Sequence, residues 1–411
     1  MNAQQKGLLD PDVIRCPYPH YETLRNERPI AFLPELGAYF ASNYELVKQV
    51  LTDLRFQKPP EKNGRKFVPP NKAYMDVLLR DEEIGLPVHV LSRTSGAQQA
   101  GFRKIVEPYV GRRGAKKLEP FIQTCADFLL DRIEKKEVCE VVEDFSSPFT
   151  ILVMCDVIGF PRSMLEEVKA YAEAALSYLA FVQTDEEATA NAEKVFAMHN
   201  IVREMIRERR SNPKDDVLTA LGTATVEGQP LTERQMVYLI EELTTGGHDT
   251  TSNGINGGLQ YLAQNPEMQE RLRANPEKVE KFVEEALRVL TPIQVAHRVA
   301  MEDIEVGGVL VPKGQNVFLL TSSANRDGNR FECPANFDLD RPDASQHMAF
   351  GGGQHFCLGN FLARAEQRIA YSSWLKRFSS FELAVPAESI VFRNTHVTRA
   401  PIELPIRLHR A

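Results

Sequence analysis

The chain has 411 residues, 43% of them apolar and 26% charged, with one tryptophan and a formal net charge of -7. That length can bury a large core and that composition is an ordinary globular one, while the acidic balance excludes bulk nucleic-acid binding and leaves any basic partner surface local. The opening segment, MNAQQKGLLDPDVIRCPYPH, holds no apolar run of signal-peptide or membrane-spanning length and no lipidation motif, so a cytoplasmic protein that engages no membrane is expected. Cys16, Cys125, Cys139, Cys155, Cys333 and Cys357 form no close pair. Neither a zinc knuckle nor a C-x-x-C redox couple is available, and each reads first as a reduced, mostly buried thiol.

In chain order, residues 29–42, PIAFLPELGAYFAS, read as a short hairpin, and NYELVKQVLTD after it as a helix. Residues 57–95 are rich in proline, glycine and charge with weak periodicity, which predicts a long, mobile loop of the kind that carries binding function. From about Gly101 to Ala286 the apolar period is helical almost throughout, and ERQMVYLIEELTTGGHDTTSNGINGGLQYLAQN is the longest helix. HRVAMEDIEVGGVLVPKGQNVFLLTSSANRD then turns to short β-branched strands broken by glycine and proline. An irregular stretch to Ser345, a helix after Cys357 and strands around HVTRAPIELPIRLH complete the chain. The expectation is a single domain over residues 1–411, mainly α with a small β portion.

The densest signal is FGGGQHFCLG, Phe350 to Gly359. An inert core thiol would not need glycines at 351, 352, 353 and 359, since ordering glycine costs the most backbone entropy. A catalytic thiol would want a base, and His355 is two residues away, but no nucleophile signature surrounds the pair. Zinc lacks further ligands at suitable spacing, and the glycines lack the G-x-G-x-x-G spacing of a dinucleotide site. The remaining reading is an axial thiolate on a haem iron. LGNFLARAEQRIAYSSWLKRF is amphipathic, which would put Cys357 at a helix N-terminus that favours an anionic sulfur. Gly351 and Gly359 would let the loop lie against the porphyrin, with Phe350 shielding the sulfur.

The stretch matches the haem-ligand signature F-x-x-G-x-[H/R]-x-C-x-G, and on it the chain resembles the cytochrome P450 superfamily of haem-thiolate monooxygenases. The resemblance implies a triangular, α-rich single-domain fold, haem b held by the Cys357 thiolate, and His355 beside a haem propionate. Arg298 in HRVA corresponds to a propionate-binding arginine, and Arg103 in GFRKIV sits where the propionate-binding helix begins. Many relatives carry H-T-R where this chain has Gln99, Ala100 and Gly101, so anchoring there rests on Arg103 with Gln99. Glu285 and Arg288 of EEALR, with Arg341 of FDLDR, correspond to a structural ion-pair trio.

Inside the longest helix, GGHDTT matches the family's oxygen-binding pattern. Paired glycines cost roughly 1 kcal/mol each relative to alanine in a helix, so a local distortion or a close neighbour is expected at Gly246. Asp249 and Thr250 can relay the protons that cleavage of the O–O bond consumes. By itself the motif reads equally well as a glycine-weakened helix with a solvated Asp-Thr pair. His248, at the variable position, is expected to point away from iron. Glu242, Gly246 and Thr250 share a helical stripe, so Glu242 either meets a hydroxyl or amine of the substrate or, with the helix slightly rotated, reaches solvent or a basic residue. Further candidate substrate contacts are Leu243, Val295, Val397 and Thr398, with residues 57–95, ALSYLAFVQ and 293–296. Arg112, Arg113, Lys116 and Lys117 form a basic cluster that is either a solvated surface or the docking face for an acidic ferredoxin.

The resemblance implies hydroxylation of a small hydrophobic organic substrate with O2, electrons arriving from a separate 2Fe-2S ferredoxin and its reductase. Peroxide-using or substrate-rearranging enzymes of the same fold are the alternative, and a haem-based sensor the non-enzyme one.

Overall fold

The structure, a computed structural model, describes residues 7, 8, 10–34, 36–58, 71–177 and 183–410. Helices account for most of the chain. One five-stranded sheet holds Ile30–Leu33, Ala38–Ala41, Asn316–Leu319, Ala296–Ala300 and Phe56–Gln57 in that spatial order. The hairpin expected at 29–42 is present, with Ile30 opposite Ala41, and Asn316–Leu319 joins it in parallel. That central strand carries Ala296–Ala300 on its other side, with Val317 opposite Arg298. Arg298 is therefore set by the sheet register rather than by a loop.

The helix Tyr44–Thr52 begins where Asn43 accepts the Leu46 amide at 2.9 Å, an ordinary N-cap. The expectation of a loop throughout 57–95 needs correction. Lys72–Leu78 is a helix capped by Asn71, and Leu91–Arg93 a single 3-10 turn. Tyr74, Val77 and Leu78 are buried on one face at helical spacing, and tertiary packing of that face outweighs the weak local pattern. Residues 59–70 of that stretch, and 178–182 of ALSYLAFVQ, lie outside the described residues.

Helical structure begins at Gly96, earlier than the expected start at Gly101, and is broken by the strand Val138–Glu140, which pairs with Pro405–Arg410 near the C-terminus. The long helix Glu233–Gln264 starts with a capping box between Thr232 and Gln235 and spans about 48 Å at 1.5 Å per residue. It stays α-helical through Gly246 and Gly247, so the expected distortion is not there. Gly247 instead lets the sulfur of Met154 pack where a Cβ would overlap it. On the far side, Asn360–Arg377 closes the main core with Trp374, whose ring meets Phe145, Phe378 and Phe381 edge-on at 5.4 Å. No helix among the described residues is long and apolar enough to cross a membrane.

Candidate active site

The cysteine loop is shaped by its glycines. Gly351 and Gly353 adopt left-handed conformations, φ 69° and 62°, and a Cβ on Gly353 would overlap the Leu51 carbonyl. The loop is thus moulded to the end of helix Tyr44–Thr52. At Gly359 and Gly246 an added Cβ would meet nothing within 4 Å, so these two keep space open rather than relieve a clash.

The Cys357 amide donates to the Phe350 carbonyl at 2.9 Å, and the Asn360 side chain holds the Cys357 carbonyl at 2.9 Å. The helix begins at Asn360 with Gly359 as its cap, so the sulfur stands just before the N-terminus. Burial pushes the thiol up, offset in part by the Gly359 amide and by Arg103 and Arg364. The helix end does not by itself make the sulfur anionic. Behind the loop, Phe350 lies 4.4 Å under the Arg364 guanidinium, which forms a two-pronged pair with Glu284 at 2.6 and 3.1 Å.

Around His355 the cations gather. Gln99, almost fully buried, donates to His355 Nδ1 at 3.0 Å and to the Gln354 carbonyl at 2.9 Å. Arg103 donates to the Phe356 carbonyl at 3.0 Å. Burial, then Arg298, Lys58 and Arg103, push His355 down to about 3, so in the protein alone it offers a hydrogen bond and not a charge. Arg298 is buried, and its one hydrogen bond among the described residues is to the His297 carbonyl at 2.9 Å. Burial lowers Arg298 to about 10. Lys58 falls to about 7 through burial and the nearness of Arg298 and Arg93, against which Glu242 acts. A buried guanidinium with five donors and one bond is costly unless an anion joins it. The two carboxylate arms of haem b are such anions, so the residues present fit that group.

On the long helix, Thr250 donates back to the Gly246 carbonyl at 2.8 Å. Asp249 accepts from Arg393 at 2.7 Å and from Asn253 at 3.1 Å. His248 is buried against Thr150, Nδ1 to Oγ1 at 2.8 Å, and burial lowers it to about 4. It points into the protein, not towards a ligand.

Glu242 accepts the Ser92 amide at 2.8 Å, and burial raises its carboxyl. It lines a cavity with Tyr74, Leu78, Val88, Arg93 and Tyr238, among others. The other substrate candidates do not line that cavity. Leu243 is packed in the main core, and Val295 lies with Leu24, Ala38 and Phe318 in a separate core beneath the sheet. Thr398 bridges Ile293 and lines a smaller cavity near Tyr21, while the Val397 carbonyl accepts from Gln294 at 2.8 Å. Val295 lies just before the strand Ala296–Ala300, and the core it packs in forms only once the sheet is assembled, which periodicity cannot foretell.

Glu285, Arg288 and Arg341 come together in the interior. Glu285 takes two bonds from Arg288 at 2.8 Å and one from Arg341 at 3.1 Å. Arg288 also donates to the carbonyls of Asn325, Pro334 and Asn336. Of the basic cluster, Lys116 pairs with Glu119 and Lys117 with Asp215. Arg112 lies over the Phe361 ring at 4.9 Å. Arg112 and Arg113 are the two exposed cations of the cluster without an acidic partner among the described residues, and Phe356 of the cysteine loop and Phe361 are exposed as well.

Sequence reasoning missed Lys58, Arg93, Arg393 and the Glu284–Arg364 pair. Each lies far along the chain from its partner, and no local spacing marks it.

Residues 88–395 match the family model described as Cytochrome P450. The chain belongs to the cytochrome P450 family. It is 33% identical to the biotin biosynthesis cytochrome P450 of Bacillus subtilis over 91% of this chain and 92% of that protein. Among solved structures it resembles P450BioI in complex with a hexadec-9Z-enoic acid ligated acyl carrier protein, at 29% identity and a TM-score of 0.85, over 97% of this chain and 99% of the other. It also resembles cytochrome P450 CREJ in complex with (4-ethylphenyl) dihydrogen phosphate, at 26% identity and a TM-score of 0.88, over 96% and 98%. The mainly helical architecture with its small β portion is therefore the triangular P450 fold, and the protein is a haem-thiolate monooxygenase of the bacterial kind. The family's cofactor is haem b, held through a cysteine thiolate.

Proposed function

We propose that this P450, acting as one domain over residues 1–411, inserts one oxygen atom of O2 into a C–H bond of a small hydrophobic organic substrate, with Cys357 as its iron ligand. The observation that carries this is the convergence of Cys357, Gln99, His355, Arg103 and Arg298 at one place, with Lys58 and Arg93 beside them. Haem b bound there supplies the activation of O2, and thiolate ligation favours O–O cleavage. Arg298, Arg103 and His355 would hold the propionates, and Gln99 donates to Nδ1 of His355. Phe350 and the Glu284–Arg364 pair exclude water from the proximal side. Gly246 and Gly359 leave the room a flat macrocycle requires. Thr250 and Asp249 hold and move protons, which supports the oxygen route over peroxide use. Glu285, Arg288 and Arg341 keep the fold behind the loop.

The protein sets which carbon is presented. The cavity beside Glu242 is lined mostly by apolar and aromatic side chains, and the solved relatives hold a fatty acyl chain on a carrier protein and an alkylphenyl phosphate. A mostly apolar molecule with one hydrogen-bond donor for the Glu242 carboxylate fits it. Electrons come from a 2Fe-2S ferredoxin and its reductase through the face of Arg112, Arg113, Phe356 and Phe361.

The test is the absorption spectrum of the dithionite-reduced protein with carbon monoxide. A strongly red-shifted Soret band, lost in Cys357→Ala, is expected. A band where histidine-ligated haem proteins absorb would overturn the thiolate assignment.

A further inference from the structure

The cavity that Glu242 lines is unevenly charged. It holds about 720 Å³, open solvent at its edge included, between aromatic and aliphatic side chains such as Tyr74, Leu78, Leu86, Leu176 and Tyr238. Three charged residues also line it, Glu241, Glu242 and Arg93. Arg93 is exposed, whereas the Glu241 side chain is only 14% exposed and burial is the main influence on Glu242. A charge in water is screened and one inside the wall is not, so the two acids dominate the field within the cavity.

The glutamates are consecutive on the long helix and are held differently. Glu241 accepts from Nε2 of His199 at 2.8 Å, and the His199 ring stands edge-on to Tyr171 and Tyr238 at 6.1 and 5.0 Å. Glu242 accepts the Ser92 amide at 2.8 Å. Neither bond needs a cation, because an imidazole and a peptide amide donate in their neutral forms. Among the described residues no lysine or arginine forms an ion pair with either glutamate. Burial raises the Glu242 carboxyl and Glu241 adds to that, against the Ser92 bond and Arg93. Lys58 also lies near Glu242 but does not line this cavity, and burial beside Arg298 and Arg93 lowers it to about 7. It is no settled counter-charge. Two withdrawn carboxylates side by side are costly, and a cation brought by a ligand offsets that cost.

On the reading of this cavity as the substrate pocket, we propose that the substrate is an apolar molecule bearing one tertiary amine, protonated when bound. Glu242 receives its N–H and Glu241 adds to the attraction. The rings of Tyr74 and Tyr238 favour the methylene and methyl groups beside a cationic nitrogen. A hydroxyl supplies the hydrogen bond without the charge, and a carboxylate is repelled. Glu242 is thus a specificity-determining residue for the head group.

The test titrates the haem-loaded protein at pH 7.5 with N,N-dimethyloctylamine, 1-octanol and octanoate, which share a chain and differ in head charge. A tertiary amine is too crowded at nitrogen to ligate iron. Dissociation constants are read from the ferric Soret shift and from isothermal titration calorimetry. The amine should bind at least about tenfold tighter than the alcohol, about 1.4 kcal/mol, with octanoate weakest. Glu242→Gln keeps an oxygen for the Ser92 amide and removes the charge. In it the amine's advantage should fall below about threefold while 1-octanol stays within about twofold of the parent, and Glu241→Gln should show a smaller loss. Equal binding of amine and alcohol to the parent would overturn the proposal. Tightest binding of octanoate would overturn it by making Arg93 the governing charge, and so would an amine advantage that survives in Glu242→Gln. The parent ranking needs no variant, so it decides even where Glu242→Gln folds poorly. Calorimetric binding without a Soret shift would remove the substrate-pocket reading on which the proposal rests. Loss of the red-shifted carbon monoxide band would remove the haem-thiolate reading, with the calorimetric ranking still deciding the ligand class.

Discussion

Glu285 shows what a single residue can hold. It lies fully buried with both oxygens on arginines and one also on the Asp338 amide at 2.9 Å. Replacing it with alanine leaves two buried guanidinium groups without their anion, a loss of about 3–5 kcal/mol by the usual cost of breaking a buried pair. Urea unfolding of Glu285→Ala should show it as a lower midpoint, with Glu285→Gln intermediate. Gly353 makes a second case at this scale. With φ at 62° and the Leu51 carbonyl where a Cβ would go, Gly353→Ala should cost upwards of 1 kcal/mol of stability, whereas Gly359→Ala, whose Cβ meets no protein atom, should leave stability nearly unchanged and lower haem retention on gel filtration. The sequence marked both glycines alike. Only the path of helix Tyr44–Thr52 separates them.

At the scale of elements, the Glu284–Arg364 pair joins the helix Val279–Leu290 to the helix that follows Cys357. Glu284 is held down at about 2 although burial opposes it. His347, 3.5 Å away, and Arg364 are the groups that lower it. Burial lowers His347 itself, so at neutral pH it is uncharged and the arginine does the holding. A depressed carboxylate contributes stability that is complete above its unfolded value of about 4.5 and is lost as pH falls towards about 2. Glu284→Gln should therefore be destabilised by about 1–3 kcal/mol at pH 7, and the difference from the parent should shrink by more than half by pH 3 in parallel urea titrations. The helix 72–78 teaches a related lesson. Its apolar residues are few and local propensity is weak, so it exists because a neighbouring core receives Tyr74, Val77 and Leu78. Nothing within residues 57–95 announces that core.

For the whole molecule the decisive quantity is the placement of charge. A chain of net charge -7 leaves Arg112 and Arg113 exposed, Arg112 over the exposed Phe361 ring, while Lys116 and Lys117 are engaged by Glu119 and Asp215. Arg112→Glu with Arg113→Glu should slow ferredoxin-driven reduction by about tenfold or more at low salt, in stopped-flow measurements. Lys117→Glu should do little, and salt should narrow the gap between parent and double variant. Dithionite reduction should be the same in all. By itself the sequence determined the family, the mainly helical class, the cysteine at 357 and the Gly-Gly-His-Asp-Thr-Thr segment, because these are local patterns whose residue types and spacings suffice. It determined the partners of Glu285 only through the resemblance. The tertiary structure alone decided that Lys58 lies near Arg298 and Arg93, that Val295 and Leu243 pack in cores, that Glu242 holds the Ser92 amide, and that Arg393 occupies Asp249. Those facts depend on which surfaces meet after folding, and the pairs involved, such as Arg393 with Asp249, are separated by stretches of chain that no periodicity spans.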